Sequence, residues 1–127
     1  MTAAGDLTHV LYIEDTPVNV TLVAAMLRRR PAVRLSVAET GEEGVRSAVA
    51  ERPALVLLDL HLPDIDGHEV LRRLRADAAT AATPVVVVSA DATGDARERV
   101  MAAGADRFLT KPMGMADLLA VVDELAA

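Results

Sequence analysis

Short apolar runs alternate with helix-patterned segments five times along this 127-residue chain, and few folds accept that order. The first run is His9–Glu14. Pro17–Arg30 follows it, with Leu22, Val23, Met26 and Leu27 at helical spacing. Thr16 stands as the N-cap of that segment and Pro17 at its first position. Arg34–Ala38 with Glu42–Glu51 makes the second pair, and Ala54–Leu58 with Gly67–Ala76 the third. Pro84–Ser89 contains four consecutive valines; like Ala54–Leu58, it has the unbroken apolar character of a strand buried on both faces. A fourth helix spans Asp95–Ala103 and stops at Gly104, which reads as its C-cap. Asp106–Leu109 and Met115–Leu125 complete the fifth pair, with Leu118, Leu119, Val122 and Leu125 on one helix face.

Five strand–helix units imply a parallel sheet covered on both faces, and the chain is too short for an eight-stranded barrel. What remains is an α/β, flavodoxin-like, doubly wound (βα)5 fold with a five-stranded parallel sheet in the order 2-1-3-4-5. Residues 1–8 read as a flexible lead and 9–126 as a single domain. Met1 to Asp6 lacks the basic and apolar regions of a signal peptide. No apolar run approaches the roughly 20 residues that cross a bilayer. A net charge of −6 and a pI near 4.9 argue against a nucleic-acid surface. Arg28, Arg29 and Arg30, and Arg72, Arg73 and Arg75, fall near helix ends, where cations complement the dipole; they read as solvated ends. The absence of cysteine excludes disulfides, thiol catalysis and thiolate-held metals, and suits a cytoplasmic location.

In an open parallel sheet the site lies at the carboxyl ends of the strands, near the switch point between strands one and three. Those ends carry Glu14 and Asp15, Asp59, Ser89, and Thr110 with Lys111. Lys111 is the only lysine beside twelve arginines. Chance could place one lysine anywhere, but a compact ammonium fits a small anion in a tight pocket where a broad guanidinium does not. Three close carboxylates repel one another unless a cation sits among them. Mg²⁺, with Mn²⁺ as its substitute, suits a site of few protein ligands and several waters. Zinc fits less well, with no cysteine and only His61 nearby. Such a carboxylate can attack a phosphoryl group to give an aspartyl phosphate. The transferring group then presents three equatorial oxygens, which the metal, the Lys111 ammonium and the Ser89 hydroxyl would meet.

The runs Ile13-Glu14-Asp15, Leu57-Leu58-Asp59 with Pro63 and Gly67, Val88-Ser89-Ala90, Gly104-Ala105-Asp106 and Lys111-Pro112 resemble those of a response-regulator receiver domain of two-component signalling. The resemblance covers essentially the whole chain, in order and at the family's spacing. It implies that Asp59 is the phosphoacceptor, loaded from the phosphohistidine of a histidine kinase or histidine phosphotransfer protein. It further implies that Asp15, Asp59 and the His61 backbone carbonyl ligate Mg²⁺ directly, with Glu14 acting through water. Ser89 and Phe108 would form the switch pair, with Phe108 rotating inward on phosphorylation. His61 and Asp91 would tune how fast the phosphoryl group is lost, and the Lys111–Pro112 bond would be cis. The readout would be the face of the fourth helix, fifth strand and fifth helix, offered to an output partner or a second copy of the chain. Neither nucleic acid nor membrane is an expected partner.

Other residues invite blander readings. Asp64, Asp66 and Gly67 suggest a calcium loop, but Leu62 and Arg73 stand where that loop needs an acid or amide and a glutamate. They read as turn formers, with Asp66 an N-cap. His9 and His68 read as surface or strand-edge residues, Met113 and Met115 as packing, and Asn19 as a first-turn polar residue. Ser89 keeps the hydroxyl of the family's frequent threonine. Phe108 lacks the hydroxyl of a switch tyrosine, and Met113 stands where an aromatic is frequent. A binding-only pseudo-receiver is the alternative function, although no acid, phosphoacceptor or lysine is missing. An aspartate-nucleophile phosphatase would want a second aspartate where His61 stands. A flavin protein would not place Glu14-Asp15-Thr16-Pro17 where phosphate must sit.

Overall fold

Alternate residues of a strand point to opposite faces, so an unbroken apolar run must supply two cores at once. The computed structural model describes residues 7–91 and 93–126 and shows this division. Its strands are β1 (Thr8–Ile13), β2 (Val33–Ala38), β3 (Leu55–Asp59), β4 (Val85–Ser89) and β5 (Arg107–Thr110). All pair in parallel, in the order β2-β1-β3-β4-β5. The helices are α1 (Pro17–Leu27), α2 (Gly41–Glu51), α3 (Gly67–Ala76), α4 (Gly94–Ala102) and α5 (Met115–Leu125). Leu11, Ile13, Val56, Leu58, Val85 and Val87 face α2, α3 and α4, whose Ala48, Val70, Leu71, Leu74 and Val100 complete that core. Val10, Tyr12, Leu55, Leu57, Val86 and Val88 face α1 and α5, meeting Val23, Leu27, Leu118, Val121 and Val122. Each such buried valine, leucine or isoleucine contributes about 1.5–3 kcal/mol, and truncating Leu57 or Leu58 to alanine costs about 2–5 kcal/mol.

Most expected boundaries lie within one residue of those observed, with α1 the exception. It ends at Leu27, and Arg28 to Arg30 form a turn before Pro31. Thr16 holds the N-cap position but makes no side-chain cap bond, and Leu22 is half exposed rather than core. Asp66 does cap α3, accepting from the Glu69 N–H at 2.9 Å. Residues 1–6 of the expected lead lie outside the described residues, and Thr8 already pairs with Val33 in the sheet. Met113 packs in the core, whereas Met115 stays exposed because it opens α5 on the solvent side. His9 is buried, not superficial. Its Nε2 lies 2.6 Å from Ser36 Oγ and 3.4 Å from Glu51, and the ring sits between β2 and the end of α2.

Arg75 is not a solvated helix end either. Its guanidinium donates to the carbonyls of Gly104, Thr80, Ala81 and Thr83 and to Asp106 Oδ2. Asp106 Oδ2 also accepts from the Val85 N–H, at 2.8 Å. One planar fork thus ties the ends of α3 and α4 to the starts of β4 and β5. Gly104 follows the last residues of α4 with φ of 110°, a conformation that favours glycine, and a Cβ there would crowd the Arg75 side chain.

Candidate functional site

Parallel strands end together, so the residue after each strand is delivered to one edge of the sheet. β1 delivers Glu14, which has no exposed surface, and the exposed Asp15. β3 ends in Asp59, 3 % exposed, and β4 in the fully buried Ser89. After β5 comes Lys111, joined to Pro112 by a cis bond. The fold thus brings to one edge of the sheet the five residues expected there from sequence.

Carboxylate oxygens of Glu14, Asp15 and Asp59 lie within 4.8 Å of one another. Lys111 Nζ sits among them, 3.1 Å from Glu14 Oε2 and 3.2 Å from Asp59 Oδ1. Its approach to Asp59 is an ion pair without an aligned hydrogen bond: among the described residues Asp59 Oδ1 is buried and has no hydrogen-bond partner. Burial and the neighbouring Glu14 charge push the Asp59 carboxyl up to about 6, against the pull of Lys111 and the His61 backbone amide. This is the donor set of a hard, oxygen-preferring cation: three acids at coordinating separation and one orphaned oxygen.

The backbone around Asp59 is shaped to the same end. The Gly67 N–H donates to the Leu60 carbonyl at 2.9 Å, bringing the start of α3 onto the end of β3. A Cβ on Gly67 would lie 2.6 Å from Leu60 Cα and 2.7 Å from the Asp59 carbonyl oxygen, which only glycine avoids. Asp64, in the loop between them, accepts from the Gly41 and Glu42 N–H groups at 2.7 and 2.8 Å. It therefore caps α2 and moors the loop that carries His61, a larger role than turn former.

Ser89 Oγ accepts from the Asp91 N–H at 3.1 Å, which leaves its own hydrogen free to donate. His61 and Asp91 are exposed at the rim. The Thr93 backbone and hydroxyl, then His61, hold the Asp91 carboxyl below its usual range. Phe108 already lies inward in this structure, 7 % exposed and packed with Val87 and Val100. The Arg97 guanidinium of α4 covers its ring at 5.6 Å from the centroid. Asn19, expected from sequence to be a first-turn polar residue, also reaches the site: its Nδ2 donates to Glu14 Oε1 at 2.7 Å. Its position on the first helical turn after the acid pair was the available signal.

Comparison with known proteins agrees with this geometry. The family model described as the response regulator receiver domain matches residues 10–123. Protein PilH of Pseudomonas aeruginosa is 31% identical over 95% of this chain and 99% of its own length. The KDP operon transcriptional regulatory protein KdpE of Escherichia coli is 37% identical over 90% of this chain. A protein-glutamate methylesterase/protein-glutamine glutaminase of Syntrophus aciditrophicus is 38% identical over 81% of it. The chain spans only 49% and 30% of those last two relatives. Among solved structures, the receiver domain of a Pseudomonas aeruginosa sensor histidine kinase superposes with a TM-score of 0.86. It is 32% identical, with 94% of this chain and 98% of that one covered. That structure has a magnesium ion coordinated in its active site cleft. Sequence, sheet order and acidic pocket agree, and the chain belongs to the response regulator receiver domain family.

Proposed function

We propose that this chain is a phosphorylation-activated receiver, one domain over residues 9–126, that accepts a phosphoryl group on Asp59. The donor is the phosphohistidine of a histidine kinase or histidine phosphotransfer protein. The observation that carries the reading is Asp59 itself. It is a buried carboxylate with an orphaned oxygen, 3.2 Å from the sole lysine and within coordinating reach of Glu14 and Asp15.

In the transfer an Asp59 oxygen attacks phosphorus, a P–O bond forms, the P–N bond breaks and its electron pair returns to the donor imidazole. Asp15, Asp59 and the His61 carbonyl would hold Mg²⁺ or Mn²⁺, with Glu14 reaching it through water. Bound there, the ion supplies neutralisation of the carboxylates and of the phosphoryl oxygens. Lys111 meets one phosphoryl oxygen as a point charge. Ser89 donates its free hydroxyl hydrogen to another. Water attack later splits the aspartyl phosphate to phosphate and the free acid, at a rate that His61 and Asp91 adjust from the rim. An apolar groove of about 260 Å³ between α1 and Lys111–Met113, walled by Leu22, Met26 and Met113, supports docking of the donor beside the site.

Readout falls to the α4-β5-α5 face. Phe108 and Arg97 lie there, so movement of Ser89 toward a phosphoryl group is felt where an output partner or a second copy would bind. Among the described residues no helix is long and apolar enough to cross a membrane.

The test is an intact mass after incubation with Mg²⁺ and a small acyl phosphate, beside Asp59→Asn. A single phosphoryl adduct that requires Mg²⁺ and is absent in the variant is the expected result. A folded, Mg²⁺-binding protein that takes no phosphoryl group, from the small donor or from a kinase, would make it a binding-only pseudo-receiver.

A further inference from the structure

Lys111 faces two carboxyl groups, and it can serve Asp59 only if something else carries part of Glu14. Glu14 has no exposed surface, so its lone pairs must be matched inside the protein. Asn19 Nδ2 donates to Oε1 at 2.7 Å, while Lys111 Nζ lies farther away, 3.3 Å from Oε1 and 3.1 Å from Oε2. The amide makes the shortest of the three contacts. The ammonium stands almost equally near Glu14 and Asp59, at 3.1 and 3.2 Å. Asp59 Oδ1 nevertheless accepts no aligned hydrogen bond. The ammonium is shared, and its position between the two acids depends on how well Glu14 is satisfied without it.

We propose that Asn19 is a positioning residue for phosphoryl transfer. Its amide takes up Glu14 Oε1 and so keeps Lys111 available to the group arriving at Asp59. The inference rests on Asp59 being the phosphoacceptor. Remove the amide, and Oε1 is left with Lys111 as its sole donor among the described residues. The ammonium then closes on Glu14 and withdraws from Asp59, because an unmatched buried carboxylate oxygen costs more than a stretched ion pair. Among the described residues no hydrogen bond joins Lys111 to Asn19, and both meet Glu14 Oε1, so the effect passes through Glu14.

The composition provides a probe that does not depend on activity. Lys111 is the only lysine, so protein labelled with ¹³C-lysine gives a single side-chain Cε resonance. The experiment compares wild type with Asn19→Leu, which keeps the volume and loses the donor, and Asn19→Gln, which restores a donor. In Asn19→Leu the Lys111 resonance of the metal-free protein moves, and phosphorylation by a small acyl phosphate slows by about tenfold. Calorimetric Mg²⁺ affinity changes by much less than the rate, and Asn19→Gln recovers most of the rate. The proposal is overturned by an unchanged rate in Asn19→Leu, by a slow variant whose Lys111 resonance has not moved, or by loss of Mg²⁺ affinity in step with the rate. Failure of wild type itself to form an adduct would instead sink the phosphoacceptor reading beneath it.

Discussion

Each end of the sheet sets a cation against acid, and the two arrangements are built on opposite principles. At the amino end Arg75 faces one acid, Asp106, and spends its remaining donors on the carbonyls of Gly104, Thr80, Ala81 and Thr83. Charge and hydrogen bonds are balanced there. At the carboxyl end Lys111 faces Glu14 and Asp59, with Asp15 beside them, and Asp59 Oδ1 stays unmatched. A guanidinium fork locks backbone in place; an ammonium leaves room for something to arrive. The satisfied end is structure, and the frustrated end is where we propose that the phosphoryl group arrives.

The largest test of that contrast lies at the satisfied end. Arg75→Ala orphans several carbonyls and leaves Asp106 without its counter-ion, and is expected to cost about 3 kcal/mol. Arg75→Lys keeps the charge without the fork and should recover little of it. Urea midpoints measure both, and a loss below about 1 kcal/mol would erase the distinction between the two ends.

Asp59→Asn is expected to act in the opposite direction. The folded protein holds the Asp59 proton more tightly than the unfolded chain does, because its carboxyl is raised from 3.8 to about 6. Ionising Asp59 therefore costs nothing below the lower value and costs increasingly more as pH rises to the upper one. In chelator at pH above 7 the asparagine variant should be more stable than wild type by up to about 3 kcal/mol, with the gain fading toward pH 4. A destabilised variant at neutral pH would show that the site is not strained.

Mg²⁺ provides the next effect. At a hundred times its dissociation constant it should stabilise wild type by about 2.7 kcal/mol, and Asp59→Asn by clearly less. Thermal melts with and without the ion check both. His9 gives the smallest effect. Burial and Arg34 hold its imidazole below the usual 6.5, against Glu51, so the unfolded chain takes the proton first. Wild type should lose stability as pH falls through 6.5, and His9→Gln should flatten that part of the profile.

The carboxyl end was the more legible in sequence, and the reason is geometric. Strand ends are marked by where an apolar run stops, so Glu14, Asp59, Ser89 and Lys111 could be assigned to one edge before any contact was known. The amino-end knot has no such mark. Arg75 meets Gly104 and Asp106 about thirty positions away, and its local setting is that of any basic residue in a last helical turn. Asp64 read as no more than a turn former because it caps a helix that begins 23 positions earlier. His9 was misplaced because a histidine opening a strand carries no sign of which helix covers it. Thr16 shows the reverse error: the right residue at the right position, without the bond.

Glu14 and Lys111 are 97 positions apart, and the lysine follows the sheet's last strand in chain order. Closing so long a loop is slow relative to forming any helix here. A nascent chain therefore has its acids long before it has its ammonium. Until β5 docks, the proposed donor would meet carboxylates that repel it, and an unfinished molecule would be closed to its signal.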